Sequence, residues 1–271
     1  MLAIRLLALA FVASGTPEMT AAQIVAAVNA RDVGSTGWRR VRIDLIDNGV
    51  TTRTFAVVNV WRRTTSAEVR TLFHLEEPPG LAGTSYLEVE HPGEGTEFGV
   101  FLNLPTSRER VLTIAPENLG DGLLGSDFGY SDLRMLLPSA SYRVTGWTTM
   151  LGHDAVILEA TPADRAHVPW TRARYYIDPL ISFVLGVDTF TETAVKRMRV
   201  ETLENRDGVW TASRMTMTSA RGRLTQIRLL GAMFRVGGVA ASIFEPGGLP
   251  HAGARIASMT AGRQPSGRGE R

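Results

Sequence analysis

The stretch RVRIDLIDNGVTTRTFAVVNVWR, residues 40–62, decides the fold. Apolar and charged side chains alternate over residues 40–46, which is the period of a β-strand with one buried face. Asn48 and Gly49 then supply the dipeptide that a two-residue hairpin turn prefers, and a second run with alternating apolar positions occupies residues 51–62. The stretch therefore predicts two antiparallel strands joined by a tight turn.

The same period of two recurs along most of the remaining chain. Further strands are predicted at residues 69–75, 86–90, 98–104, 110–114, 142–147, 155–161, 172–177, 183–190, 196–203, 210–218 and 224–234. Short turns join them, and only the Gly-, Asp- and Leu-rich connection at residues 115–138 breaks the rhythm. Strands do not alternate with helices, so a meandering antiparallel sheet is predicted, and a sheet of that size must curl or split.

One helix precedes the strands. Thr20 and Gln23 have the spacing of a capping box, and Ile24, Val25 and Val28 form one apolar face, which predicts a helix over residues 20–31. A curved sheet with this helix on its concave face would bury both apolar surfaces. No break in composition appears within residues 38–245, so one domain is expected.

Both ends of the chain differ in composition from the middle. Arg5, an apolar run over residues 6–13 and small residues before position 16 are typical of a secretory signal peptide at residues 1–15, although a buried N-terminal helix is the alternative. The apolar run is too short to span a bilayer. We therefore expect export to the periplasm by a cleavable signal peptide. Residues 250–271 are rich in Gly, Arg, Ser and Pro and are predicted to form a disordered tail.

Composition excludes several classes of protein. The 271 residues are 44% hydrophobic and 21% charged, which is typical of a globular protein. The net charge of +2 is too balanced for nucleic-acid binding through phosphate neutralisation. The chain has no cysteine, which excludes disulfides, zinc–thiolate sites and a thiol nucleophile. Lys196 is its single lysine.

The sequence has little support for catalysis. Residues 120–125, GDGLLG, match G-x-G-x-x-G, but poor helix formers follow and Ala140 stands where a dinucleotide site needs an acidic residue. None of the five histidines forms a close pair, so no metal site is predicted. The sequence therefore predicts no enzyme and no cofactor. A Ser–His–Asp triad assembled across the fold stays open as a weaker alternative.

The five tryptophans lie on or beside predicted strands. By pattern alone they are more typical of a filled core than of a ligand cavity. A half-open barrel leaves an apolar cavity unless side chains fill it. Both interpretations remain open at this stage.

Several ordered motifs resemble one family. GSDFGYSDL, residues 125–133 (the hallmark loop), closely resembles the family's GSDFTYEDL motif, and EPPGLAGTSYL at residues 77–87 resembles its P-x-x-x-x-G-T-x-x-L segment. Further matches follow at residues 102–111, 176–178, 208–215 and 243–246. The chain therefore resembles the outer-membrane lipoprotein-sorting protein family. The stretch before the hallmark loop departs from the family pattern, and the strand at residues 108–110 is less basic than usual.

The resemblance implies a mainly β (α+β) fold, an unclosed antiparallel β-barrel or half-barrel with a helical lid, LolA/LolB-like, over residues 16–249. It implies a periplasmic, monomeric carrier that binds lipid or lipoprotein acyl chains and moves them between membranes during outer-membrane biogenesis. An inner-membrane export pump is the implied partner. The alternative is a sensor or adaptor with the same fold for an inner-membrane transporter or signalling protein, and an ester hydrolase is a third.

The resemblance implies no catalytic residues, so the candidate site is a binding cavity. Its proposed wall is the set of alternating apolar strand positions Val41, Ile43, Leu45, Phe55, Val57, Trp61, Phe98, Val100 and Leu102. In the hallmark loop, Asp127, Phe128 and Tyr130 are candidates for a gate. In the structural alternative, Ser126 and Asp127 cap a short helix while Phe128 and Tyr130 plug the end of the barrel.

Overall fold

The computed structural model describes residues 19–64, 68–91, 95–103, 111–114, 118, 122–129, 132, 136–137, 139–163, 168–219 and 222–261. The predicted signal peptide at residues 1–15 lies outside this part of the chain.

Thirteen strands form the protein's single described sheet. They are β1 (Thr36–Asp47), β2 (Val50–Arg63), β3 (Val69–Glu77), β4 (Ser85–His91), β5 (Gly95–Phe101), β6 (Val111–Thr113), β7 (Ala140–Met150), β8 (His153–Pro162), β9 (Arg172–Asp178), β10 (Phe183–Phe190), β11 (Val195–Arg206), β12 (Val209–Thr218) and β13 (Leu224–Phe234). Two α-helices, α1 (Ala21–Ala30) and α2 (Ala252–Ala261), stand at the ends of the described chain. Each predicted strand is confirmed within the described residues, although β5 ends at Phe101 and not at residue 104. Residues 104 and 110, which were included in two of the predicted strands, lie outside the described chain.

The strand order is β6-β5-β4-β3-β2-β1-β13-β12-β11-β10-β9-β8-β7, with antiparallel pairing throughout. The first and last strands are therefore neighbours at the centre of the sheet, and β6 and β7 are its two edges. No ladder joins β6 to β7 among the described residues, so the barrel is unclosed, as predicted. Asn48 and Gly49 both have positive φ, which is the geometry that the tight turn between β1 and β2 requires.

The strands β1–β5 present two different faces. The inner face includes Val41 and its β2 partner Val57 and borders a cavity. The outer face includes Trp38, its β2 partner Val60, and Leu72 on β3. It is covered by residues 236–261 (the C-terminal segment), which contribute buried Val236, Val239, Ile243, Phe244, Leu249, Ala252 and Ile256 to one apolar cluster with these strands.

The prediction of a disordered tail from residue 250 is wrong for residues 250–261. A 3₁₀ turn over Pro246–His251 leads directly into α2. Ala252, Ile256 and Thr260 recur every four residues and are buried, so this stretch has the stripe of an amphipathic helix despite its Gly- and Ser-rich composition. The Thr260 hydroxyl donates to the carbonyl of Ile256 at 3.0 Å. Residues 262–271 lie outside the described chain.

The prediction for α1 is confirmed, including its capping box. The Gln23 amide N–H donates to the Thr20 hydroxyl at 3.3 Å, and the Thr20 amide N–H donates to Gln23 Oε1 at 2.8 Å. Ile24 and Val28 are buried in a second apolar cluster with residues of β8–β12. Because Val28 also lines the cavity, α1 lies on the inner side of the sheet.

Candidate functional site

The inner face of the sheet encloses a cavity of about 670 Å³. Its wall is formed by β1–β4 on one side, β10–β13 on the other, the C-terminal half of α1 and the loop that contains the hallmark motif. Apolar side chains from opposite parts of the sheet meet across it, among them Val41, Val57, Phe73, Met198, Met217 and Leu229. A volume between about 300 and 1,000 Å³ with mostly apolar walls is typical of small-molecule sites.

Four of the nine predicted wall residues line the cavity, namely Val41, Ile43, Val57 and Trp61. Leu45 and Phe55 belong to an apolar cluster that extends from Ile43 and Val57 toward the β1–β2 turn. Phe98 and Val100 are buried on the same face, paired with the cavity residues Glu88 and Tyr86, and Leu102 follows β5. These five are outside the cavity wall because alternation identifies a face of a strand but not the position of a hollow along it.

A cationic region interrupts the apolar wall. Arg39 on β1 and Arg31 at the end of α1 both border the cavity. The guanidinium of Arg39 lies over the Trp61 ring, 4.9 Å from its centroid, and that of Arg31 lies over Phe183 at 4.7 Å. Burial, and to a lesser degree the nearby charge of Arg31, lowers the pKa of Arg39 to about 10, so Arg39 remains a cation at neutral pH.

Sequence reasoning missed these arginines. Alternation along β1 places Arg39 on the same face as Val41, so the pattern contained the signal. Alternation normally sorts charged side chains to the water side, so the pattern alone does not single out a charged residue as part of a cavity.

Trp61 is held in place from several sides. Its Nε1 donates to the Gly34 carbonyl at 3.3 Å, and its ring lies 5.7 Å from that of Phe234. Across the ladder, Gly37 leaves room for the ring, because a Cβ at this position would stand 2.2 Å from Trp61 Cζ2. The indole is therefore a fixed platform for the guanidinium of Arg39.

Gly37→Ala is expected to destabilise the protein by about 2 kcal/mol, since the added methyl forces Trp61 and the neighbouring backbone to shift. Urea unfolding measures the change in the free energy of unfolding. Gly80→Ala is the matched control, because no atom lies within 4 Å of its added methyl. Equal stability of the two variants would contradict the close packing of the Trp61 ring against Gly37.

The described part of the hallmark loop is fastened to the sheet through Asp127. Its carboxylate accepts from the Thr225 hydroxyl at 3.0 Å and pairs with Arg223 at 3.1 Å, while its backbone N–H donates to Thr225 Oγ1 at 3.0 Å. Lys196 on β11 donates to the Asp127 carbonyl at 3.3 Å and forms an ion pair with Asp132. The loop thus binds both β13 and β11.

The three candidate gate residues have different positions. Phe128 lines the cavity and is buried, with its backbone N–H bonded to the Ser126 hydroxyl at 3.2 Å. The Asp127 side chain binds Thr225 and Arg223, so its described partners are on the sheet and not at a helix end. Tyr130 lies outside the described residues.

No group of three or more His, Asp or Glu side chains among the described residues is placed to hold a metal ion. No helix in this part of the chain is long and apolar enough to cross a membrane.

An open antiparallel sheet whose inner face encloses a cavity beneath a short helix is a LolA-like fold. The solved structures that share it include the following three. A DUF1329 family protein from Desulfovibrio piger matches at TM-score 0.76 and 20% identity, over 83% of this chain and 96% of its own. A domain described as an outer membrane lipoprotein-sorting protein from Vibrio parahaemolyticus matches at 0.75 and 21%, over 84% and 97%. A LolA superfamily protein from Nitrosomonas europaea matches at 0.61 and 14%, over 84% and 98%.

The sequence also shows to which family the chain belongs. A family model with the description "-like: Uncharacterized protein" matches residues 67–250, more than half of the chain, and the chain belongs to this family. No curated protein matches the chain. The fold that the chain shares with the solved structures above confirms its resemblance to the lipoprotein-sorting family, at the level of the fold.

Proposed function

We propose that the protein is a non-enzymatic periplasmic carrier that shelters an acyl chain of a lipid or lipoprotein in its cavity. The observation that carries the proposal is the cavity of about 670 Å³ with apolar walls on the inner face of the open sheet. A buried methylene contributes about 0.8 kcal/mol, so a chain that buries about ten of them gains about 8 kcal/mol. That gain corresponds to roughly micromolar binding before the cost of ordering the chain.

The comparisons support the proposal through the fold. The Vibrio domain is described as an outer membrane lipoprotein-sorting protein, and this chain shares its open sheet. In the proposal, residues 1–15 direct export and are removed, and the mature chain carries its cargo between membranes as a monomer beside an inner-membrane export pump.

The proposal is tested by mass spectrometry of organic extracts from the exported protein, with its N-terminus sequenced to locate the cleavage. One defined lipid at near-stoichiometric amount is the expected result. An empty protein that also fails to take up a fluorescent acyl probe would contradict the carrier and favour the adaptor alternative.

Leu229→Glu is expected to weaken uptake of an acyl probe about tenfold or more, because it places a carboxylate in the apolar wall. Leu229 is half-buried at the cavity, so folding is expected to survive. Leu230→Glu is the matched control, since Leu230 is the next residue of β13 and is 55% exposed. Probe titration by fluorescence measures both variants. Equal affinities would show that the probe binds elsewhere.

A further inference from the structure

Arg39 and Arg31 are two of the three arginines that line the cavity, the third being Arg63. Neither Arg39 nor Arg31 forms an ion pair with any described residue, and Arg39 Nε is enclosed without a hydrogen-bond partner in that part of the chain. Arg31 has one polar contact there, from its Nη1 to the Trp210 carbonyl at 3.0 Å. Removing a guanidinium from water without a compensating anion is costly. Two guanidinium groups in an apolar wall would therefore be stabilised by an anion that binds beside them.

The nearby carboxylates do not supply this negative charge. Asp32 follows Arg31 in the chain and acts on its charge, but its carboxylate forms an ion pair with Arg235. Asp132 is paired with Lys196. Glu88 and Glu90 lie on β4, three strands away from β1, in line with Trp61 and Arg63 respectively. Neighbouring strands are about 4.8 Å apart, so the three spacings from β1 to β4 place these backbones about 14 Å from β1.

The geometry of Arg39 suits an incoming anion. Its guanidinium carbon lies over the Trp61 ring, so the indole covers one side of the group. A guanidinium over an aromatic ring keeps N–H donors that can bind a carboxylate or phosphate. Because Trp61 is fixed by Gly34, Gly37 and Phe234, little ordering is needed when the anion binds.

We infer that the cavity selects an anionic amphiphile, whose carboxylate or phosphate head group binds Arg39 and Arg31 while its acyl chain lies along the apolar wall. The inference rests on the proposed carrier function and specifies the chemistry of the cargo. A neutral diacyl ligand would leave both cations without a partner.

The test is a displacement titration of N-phenylnaphthylamine, an uncharged apolar probe, from the mature protein. The competitors are laurate, dodecyl phosphate, methyl laurate and inorganic phosphate. Laurate and dodecyl phosphate are expected to bind about 10- to 100-fold more tightly than methyl laurate, the range for charge-assisted hydrogen bonds. Inorganic phosphate is expected not to displace the probe, which separates an amphiphile site from a free-anion site.

Arg39→Gln is expected to abolish the preference for the anions, so that laurate and methyl laurate bind the variant with equal affinity. Arg197→Gln is the matched control, because Arg197 is exposed and lies on the opposite face from the cavity residue Met198. Arg31→Gln is a second variant, expected to reduce the preference partially. It keeps the test valid if Arg39→Gln fails to fold.

Two results would overturn the inference separately from the proposed function. Equal affinities of the wild-type protein for laurate and methyl laurate would overturn anion selection while leaving a carrier of neutral chains. A preference that persists in both Arg39→Gln and Arg31→Gln would place the head group elsewhere. Failure of the probe itself to bind would instead contradict the apolar cavity site, and with it the inference.

Discussion

Ile256→Asp is expected to lower the free energy of unfolding by about 4 kcal/mol or more. Ile256 is 1% exposed in the apolar cluster that joins α2 to the outer face of the sheet, together with Leu72, Leu87 and Phe244. The substitution removes a buried side chain, worth about 2–4 kcal/mol, and adds a carboxylate that has no partner there. The helix then detaches, and the outer face of β1–β5 becomes exposed.

Urea unfolding of the full chain measures this effect. Ala257→Asp is the matched control, because Ala257 is the next residue of α2 and is exposed, so its substitution is expected to stay within about 0.5 kcal/mol. Ile256→Val provides a graded intermediate, with an expected loss of about 1 kcal/mol. If Ile256→Asp were no more damaging than Ala257→Asp, α2 would not be part of the folded core.

Asp127→Ala is expected to cost about 3 kcal/mol and to accelerate release of an acyl probe. The substitution removes the acceptor for the Thr225 hydroxyl, which is fully buried, and the ion-pair partner of Arg223. A hydrogen bond to a charged group contributes about 1.5–3 kcal/mol, and the stranded hydroxyl adds to the loss. The loop then keeps only its backbone bond to Thr225 and the contacts of Lys196, so Phe128 is held less firmly against the cavity.

The two readouts distinguish the interpretations of the hallmark loop. A plug that is purely structural predicts loss of stability with an unchanged release rate, whereas a gate predicts faster release measured by stopped-flow fluorescence. Asp127→Asn keeps an acceptor for Thr225 but loses the charge, so an intermediate effect is expected. Asp154→Ala, at an exposed carboxylate, is the control. Wild-type stability and wild-type release in Asp127→Ala would contradict the role of Asp127 as the fastening.

The sheet was predictable because its signals are local. The period of two in β1 and β2, together with Asn48 and Gly49, determines a hairpin, and repetition of that pattern determines an antiparallel meander. The capping box of α1 is likewise read within four residues. Such features depend on neighbours in the chain and not on the final curvature of the sheet.

The helix α2 was missed for a different reason. Composition averages over a window, and Gly, Arg and Ser dominate residues 250–271. The spacing of Ala252, Ile256 and Thr260 was the informative signal.

The candidate cavity depends on contacts between distant parts of the sequence. Leu45 and Phe55 have the same alternation as Val41 and Val57, but only the latter two border the cavity. The curl of the sheet decides this difference. That Arg39 has no ion-pair partner among the described residues is a property of the whole fold for the same reason.

The strand order has a mechanical consequence. The ladder runs from β6 through β1 and β13 to β7, so its two free edges can separate without breaking a strand pair. The chain between β6 and β7 carries the loop that Asp127 and Lys196 tie to β13 and β11. Separation of the two edge strands therefore works against these few side-chain bonds. The ease with which the cavity widens is set by the bonds of this loop and not by the hydrogen bonds between strands.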